Sequence, residues 1–265
     1  MKLVFKEIQS LIWPSNTSLR LPAWLKFCQD QVSRMARILS IETSTSICSV
    51  ALHERGALLA LAEIKEPGAH AEKLLLLVDE VFEKAGLSFA DLDAVAVSQG
   101  PGSYTGLRIG VSTAKGIAFG LDIPLIGINT LQAMAASQAV TQGEYVVAVL
   151  DARRKEVYTQ TFGDTLEEIT SIESLILEEG VFASVLEKGK VYFVGDGAEK
   201  VKEEIQHSNA FFPANWEQSL SAKNMGQLAF EKFARQAWED LAYFVPNYLK
   251  EFKALQSSKN PFVKL

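Results

Sequence analysis

Residues 93–128 read DAVAVSQGPGSYTGLRIGVSTAKGIAFGLDIPLIGI, and three elements are legible in them. Asp93 to Ser98 is a short apolar run of strand length. Gly100, Gly102 and Gly106 then form a glycine loop, after which the helical period runs from about Leu107 to Leu121. Pro124 to Ile128 is a second compact apolar strand. A buried strand, a glycine turn, a helix and another buried strand are the grammar of a parallel α/β layer. The glycine spacing fits neither a P-loop, since no Gly-Lys-Ser/Thr follows, nor the dinucleotide fingerprint. Two roles remain for the loop: an anion cradle built from backbone N–H groups, or a tight strand-to-helix turn that needs glycine.

The helix after this loop is rich in small residues. One ridge carries Gly106, Gly110, Ala114 and Ala118, and a second carries Ser112, Gly116 and Gly120. Glycine inside a soluble helix costs about 1 kcal/mol relative to alanine, so this density requires a packing reason. Two small ridges admit two close neighbours, one of them the sheet.

Upstream, Ile38–Ile41, Ile47–Leu52 and Ala57–Ile64 read as strands separated by the polar turn Glu42–Ser46 and by Arg55-Gly56, an antiparallel meander. The period from His70 to Ala85 is helical and closes on Gly86, where a left-handed cap is expected. Its apolar residues, Ala71, Leu74, Leu75, Leu77, Val78, Val81, Phe82 and Ala85, cover an arc of about 160°, wider than the stripe of about 100° that one core face needs. Leu76 stands apart among Glu72, Asp79, Glu80 and Glu83. Such a helix is either sandwiched within its own domain or shared between the sheet and another subunit.

Downstream, Thr130–Gln142 reads as a helix, and the grammar then restarts. Tyr145–Leu150 and Glu156–Phe162 are strands around the charged turn Asp151–Lys155. Helical segments are expected near 171–188, at 198–206 and at 221–238, with a strand at Val191–Val194. Two successive α/β halves imply duplicated domains, 35–142 and 143–265. Glu42 and the hydroxyls of Thr43, Ser44, Thr45 and Ser46 could hold phosphate or a hydrated metal, but a plain hairpin turn is expected. Asp151 with Arg153 and Arg154 is likewise expected to be a solvated turn.

The 265 residues carry a net charge of −6, two cysteines and three histidines. Cys28 and Cys48 cannot form a disulfide framework, which suits a reducing cytoplasm. His53, His70 and His207 lie too far apart for a local metal motif. Neither a Gly-x-Ser-x-Gly elbow nor a paired Cys and His is present. Residues 1–34 carry +3 and the remainder −9. Pro14 and Pro22 interrupt the opening apolar residues, so this piece reads neither as a secretory signal nor as a membrane span. It is expected to lie outside the fold, as a tail or as residues upstream of a true start at Met35; residues 22–34 could form a short helix. The acidic body argues against gripping nucleic acid unaided.

Ile38-Leu39-Ser40-Ile41-Glu42-Thr43-Ser44, Gly100 to Gly110, Ala114-Lys115-Gly116, Pro124 to Ile128, Asp151-Ala152-Arg153, Glu156-Val157-Tyr158 and Pro246-Asn247-Tyr248-Leu249 together resemble the TsaB (YeaZ) family. The resemblance covers about 36–250 in collinear order. It implies the two-lobed actin-like, sugar-kinase and Hsp70-like (ASKHA) fold and a part in making threonylcarbamoyladenosine in ANN-decoding tRNAs. It also implies a metal-bearing catalytic paralogue, TsaD, as partner, a small ATPase, TsaE, joining through the complex, and tRNA reached only indirectly. The paralogue carries Asn-His-x-x-x-His after the strand matching 124–128, two imidazoles placed for one metal. Here Asn129 is followed by Thr130 and, four residues on, Met134, neither a ligand for such a metal.

The expectation is therefore a non-catalytic scaffold with no metal, cofactor or peptidase activity. Its partner interface is placed on Ala71, Leu74, Leu77, Val78, Val81, Leu107, Gly110, Ala114, Gly116 and Gly120, a surface that could also self-pair in a homodimer. Leu74→Asp or Gly116→Leu is expected to separate the partners. An independent ASKHA-type kinase or ATPase is the alternative, with only Glu42 and Asp151 as carboxylate candidates.

Overall fold

The computed structural model describes residues 35–66 and 68–249. The helix expected at 22–34 lies outside the described residues. Strands β1 (Arg37–Glu42), β2 (Cys48–Glu54) and β3 (Ala57–Ile64) form the expected antiparallel meander. Helix α1 (His70–Ala85) follows and ends on Gly86 at φ 64°, the left-handed cap that glycine adopts without a Cβ penalty. Strand β4 (Ala94–Gly100), helix α2 (Tyr104–Leu121), strand β5 (Leu125–Asn129) and helix α3 (Thr130–Ala135) complete the first half. The second half comprises β6 (Tyr145–Asp151), β7 (Glu156–Phe162), β8 (Glu173–Ile176), α4 (Ala183–Leu186), β9 (Val191–Val194), α5 (Ala198–Glu204), β10 (Ala210–Phe211) and α6 (Gly226–Ala234).

The two sheets repeat one topology. The first runs β3-β2-β1-β4-β5 and the second β8-β7-β6-β9-β10. In each, the first three strands are antiparallel, and the fourth and fifth add in parallel to the first. This is the duplicated α/β architecture of the ASKHA fold.

Three expected helices differ. Residues 171–188 are not continuously helical: β8 pairs with β7 at Val157–Leu175, and only Ala183–Leu186 is α-helical. Here an exposed edge strand is stabilised by its cross-strand partner, which local periodicity does not report. Helix α3 stops at Ala135, where the Ser137 hydroxyl donates to the Met134 carbonyl at 2.7 Å, and such local bonds compete with helix continuation. The segment 221–238 starts as a 3-10 turn, Ala222–Met225, before α6 begins.

Each face of the first sheet has its own core. Leu39, Ile41, Val50, Leu52, Val95 and Val97 point to one side, where α1 and α2 cover them. Ile38, Ala51, Ala94, Ala96, Ile126 and Ile128 point to the other, covered by Ala222, Met225, Leu228, Ala229 and Phe233. Residues 221–234 thus follow the second sheet in sequence yet pack on the first. The exchange is reciprocal: α3 follows the first sheet, and its Leu131, Met134 and Ala135 pack on Val146, Ala148, Leu150 and Phe162 of the second. These crossings join 35–249 into one packed unit.

Candidate interaction site

The glycine loop sits against the β1–β2 turn. Ser103 N donates to the Ser44 carbonyl at 2.6 Å, and the Ser103 hydroxyl caps α2 by accepting from Gly106 N at 3.2 Å. A Cβ on Gly106 would collide with the Thr43 carbonyl, and one on Gly110 with the Thr43 hydroxyl. The first small ridge therefore lets α2 lie directly on the 43–44 backbone. The concavity that could have cradled an anion is filled by the chain itself, so the tight-turn reading of the loop is the one the packing supports.

Buried chemistry nearby points the same way. The Glu42 carboxylate accepts from Ser44 N at 2.6 Å, and desolvation pushes its pKa above the ordinary carboxylate range, only partly offset by hydrogen bonds from Ser44 and Ser98. Burial, with a contribution from Glu42, pushes the Cys48 thiol up to about 12, so it stays protonated and is a poor nucleophile. Ile47, at the end of the same turn, packs into the core of the second lobe with Leu131 and Met134. Thr130 Oγ1 accepts from Gly100 N at 3.2 Å, while Met134 is buried between the lobes, its sulfur against Gly195. Thr130 and Met134, at the positions where the resemblance implies the paralogue's two imidazoles, thus hold a backbone hydrogen bond and a hydrophobic plug. Among the described residues no group of three or more His, Cys, Asp or Glu is placed to hold a metal ion.

The expected interface residues separate into two sets. Leu74, Leu77, Val78, Val81 and Ala114 belong to the core between the helices and the first sheet; Leu107 is fully buried, and Gly110 is closed off by Thr43. These seven are corrected to internal packing, because the centre of α1's wide apolar arc is spent on β2 and β3. Ala71, Gly116 and Gly120 are exposed, with open space where a Cβ at either glycine would point. Sequence reasoning missed their apolar companions: Leu75 and Leu76 on α1, each 58% exposed, and Phe119 on α2, 79% exposed. The isolation of Leu76 among acidic residues, and the position of Phe119 between the two exposed glycines, were the available signals. The candidate site is the outer face of these two helices: Ser112, Gly116 and Gly120 run along α2 with exposed Phe119, and α1 exposes Leu75 and Leu76.

The C-terminal strap borders this face. Glu239 N donates to the Leu125 carbonyl at 2.9 Å and Asn247 N to the Gln99 carbonyl at 2.6 Å. Lys115 of α2 donates to the carbonyls of Ala242 and Phe244, and Tyr248 packs on Tyr104 with ring centroids 4.8 Å apart. The Pro246–Leu249 motif is thereby fixed beside the glycine loop.

A family profile described as "TsaD: tRNA N6-adenosine threonylcarbamoyltransferase" matches residues 67–257. The chain is 34% identical over 176 residues to a Buchnera aphidicola protein named "tRNA threonylcarbamoyladenosine biosynthesis protein TsaB", of which the match spans 81%. The chain belongs to the TsaB family. A Haemophilus influenzae TsaB is 44% identical over 122 residues, 46% of this chain and 51% of that protein, so the chain spans about half the length of this relative. The solved structure of YeaZ from Pseudomonas aeruginosa matches with a TM-score of 0.70 at 30% identity, covering 81% of this chain and all of that one.

Proposed function

We propose that this chain is the non-catalytic scaffold subunit of an assembly that installs threonylcarbamoyl groups on tRNA adenosine beside the anticodon, and that its two-helix face docks the metal-bearing catalytic paralogue TsaD. The observation that carries the reading is the exposure of Leu75 and Leu76 on α1 and of Phe119 beside the open Gly116 and Gly120 on α2. A patch of this kind on a soluble surface marks an interaction site, and an exposed row of small residues allows a facing helix to approach closely. The filled interlobe core supports a binding role over an independent kinase or ATPase.

The remaining parts follow from the same proposal. The small ATPase TsaE joins through the complex, and the −9 body leaves tRNA to the partners. The protein works in the cytoplasm; among the described residues no helix is long and apolar enough to cross a membrane. Without its partner the same face pairs with a second copy. Calorimetric titration of the chain with purified paralogue tests the reading. A tight complex with wild-type protein and none with Phe119→Asp is the expected result, and equal binding by both refutes the assigned face.

A further inference from the structure

Leu75 and Leu76 on α1 stand in an acidic frame. Residues three and four apart share a helix face, so Glu72 and Asp79 border both leucines, with Glu83 one turn further along. All three acids are exposed. Glu80 holds Lys84 at 2.7 Å, whereas among the described residues Glu72, Asp79 and Glu83 have no ion-pair partner. Two exposed leucines between unpaired carboxylates suit an occupant that is apolar and basic at once.

The chain carries such a segment. The sixteen residues after Leu249 begin Lys250-Glu251-Phe252-Lys253-Ala254-Leu255 and hold four lysines against one glutamate. They carry +3, which leaves −12 on residues 35–249. Position agrees with charge. Tyr248 packs on Tyr104, the first residue of α2, so the chain passes Leu249 at the start of that helix. Strands β3 and β4 run in the same direction, so α1 and α2, which follow them, start at the same end of the first sheet and pack on each other. Leu75 and Leu76 lie less than two turns into α1. Packed helices are about 8–10 Å apart, whereas sixteen residues can reach up to about 50 Å. Residues 1–34 also carry +3, but over twice the length, and Met35 enters β1 at the opposite end of the sheet.

We propose that residues 250–265 fold back over the start of α1 and cover it in the lone chain. Phe252 and Leu255 bury Leu75 and Leu76, while Lys250 and Lys253 meet Glu72 and Asp79. Any partner that docks on this part of α1, a second copy included, must displace the tail first. The tail contact itself needs no partner and does not depend on which protein later takes its place.

Cysteine cross-linking in the full chain, purified without partners, tests this. Cys28→Ser provides the background, since Cys48 is buried. The Leu76→Cys/Leu255→Cys pair should close an intramolecular disulfide under mild oxidation at least tenfold faster than Phe119→Cys/Leu255→Cys. Adding Lys250→Glu/Lys253→Glu should slow closure at least fivefold, and Glu72→Lys/Asp79→Lys on top of it should restore the rate. All of these positions on α1 and α2 are exposed, so the variants keep the folded core. Equal rates for the two pairs, or a rate indifferent to the charge reversal, would overturn the proposal. So would disulfides formed chiefly between two chains, which assign the surface to a second copy, or faster closure of Leu76→Cys with Leu11→Cys, which assigns it to residues 1–34.

Discussion

Phe119 offers the sharpest test of the docking face. A phenylalanine carries roughly 200 Å² of surface, so 79% exposure leaves about 160 Å² for a partner to cover. At about 25 cal/mol per Å² its burial is worth at most about 4 kcal/mol. Association costs reduce that figure, and truncating a central interface aromatic typically loses about 2–4 kcal/mol. Phe119→Ala should therefore weaken binding to the paralogue by about 2 kcal/mol, roughly 30-fold, and Phe119→Asp by more, since a buried unpaired carboxylate adds its own penalty. Stability should move by no more than about 0.5 kcal/mol, as for other exposed positions. Leu74 is the control. It lies in the core beneath α1, so Leu74→Ala should cost about 2–5 kcal/mol of stability while protein that remains folded binds normally. Calorimetry paired with urea unfolding reads both quantities. Unchanged affinity in Phe119→Asp together with weakened binding by folded Leu74→Ala would refute the division of the helices into inner and outer faces.

Other outcomes follow from the buried polar groups and close contacts. Burial holds His53 neutral, its pKa lowered to about 4, while Nδ1 lies 3.1 Å from Ser40 Oγ and Nε2 3.2 Å from the Lys223 carbonyl. The unfolded chain takes up this proton near pH 6.5 and the folded chain only near 4, so stability should fall by about 3 kcal/mol as pH drops through that window. Denaturant titrations of wild type and His53→Gln should diverge across it, and parallel curves would count against His53. Gly106→Ala drives a Cβ into the Thr43 carbonyl and should destabilise by about 1–3 kcal/mol, the usual range for overpacking, measured by urea unfolding. Met134→His puts an imidazole into the interlobe core. It should cost stability by about 2–3 kcal/mol and create no zinc site, since Thr130 is engaged with Gly100; nanomolar zinc binding would contradict that.

The sheet grammar was legible because its signals are local: the polar turn at 42–46, the cap at Gly86, the glycine loop and the restart at Tyr145 each act within a few residues. The reciprocal exchange of α3 and 221–234 was not, because it depends on contacts such as Ile38 with Met225 that lie far apart in sequence. The docking face was half legible. Periodicity identifies the apolar residues of α1, but how far β2 and β3 extend beneath it decides that Leu74 and Val78 are covered and Leu75 is not. Small residues on α2 are ambiguous for the same reason: Gly106 and Gly110 meet the Thr43 backbone and side chain, while Gly116 and Gly120, in the same helix, meet open space.

Reconstituted tRNA modification tests the scaffold role most directly. Threonylcarbamoyladenosine formed on an unmodified ANN-decoding transcript should be measured by mass spectrometry with this chain alone, with the catalytic paralogue and small ATPase alone, and with all three. The account predicts product only in the complete mixture, and its loss when Phe119→Asp replaces the wild-type chain. Product from this chain alone, or undiminished product without it, would contradict the assignment.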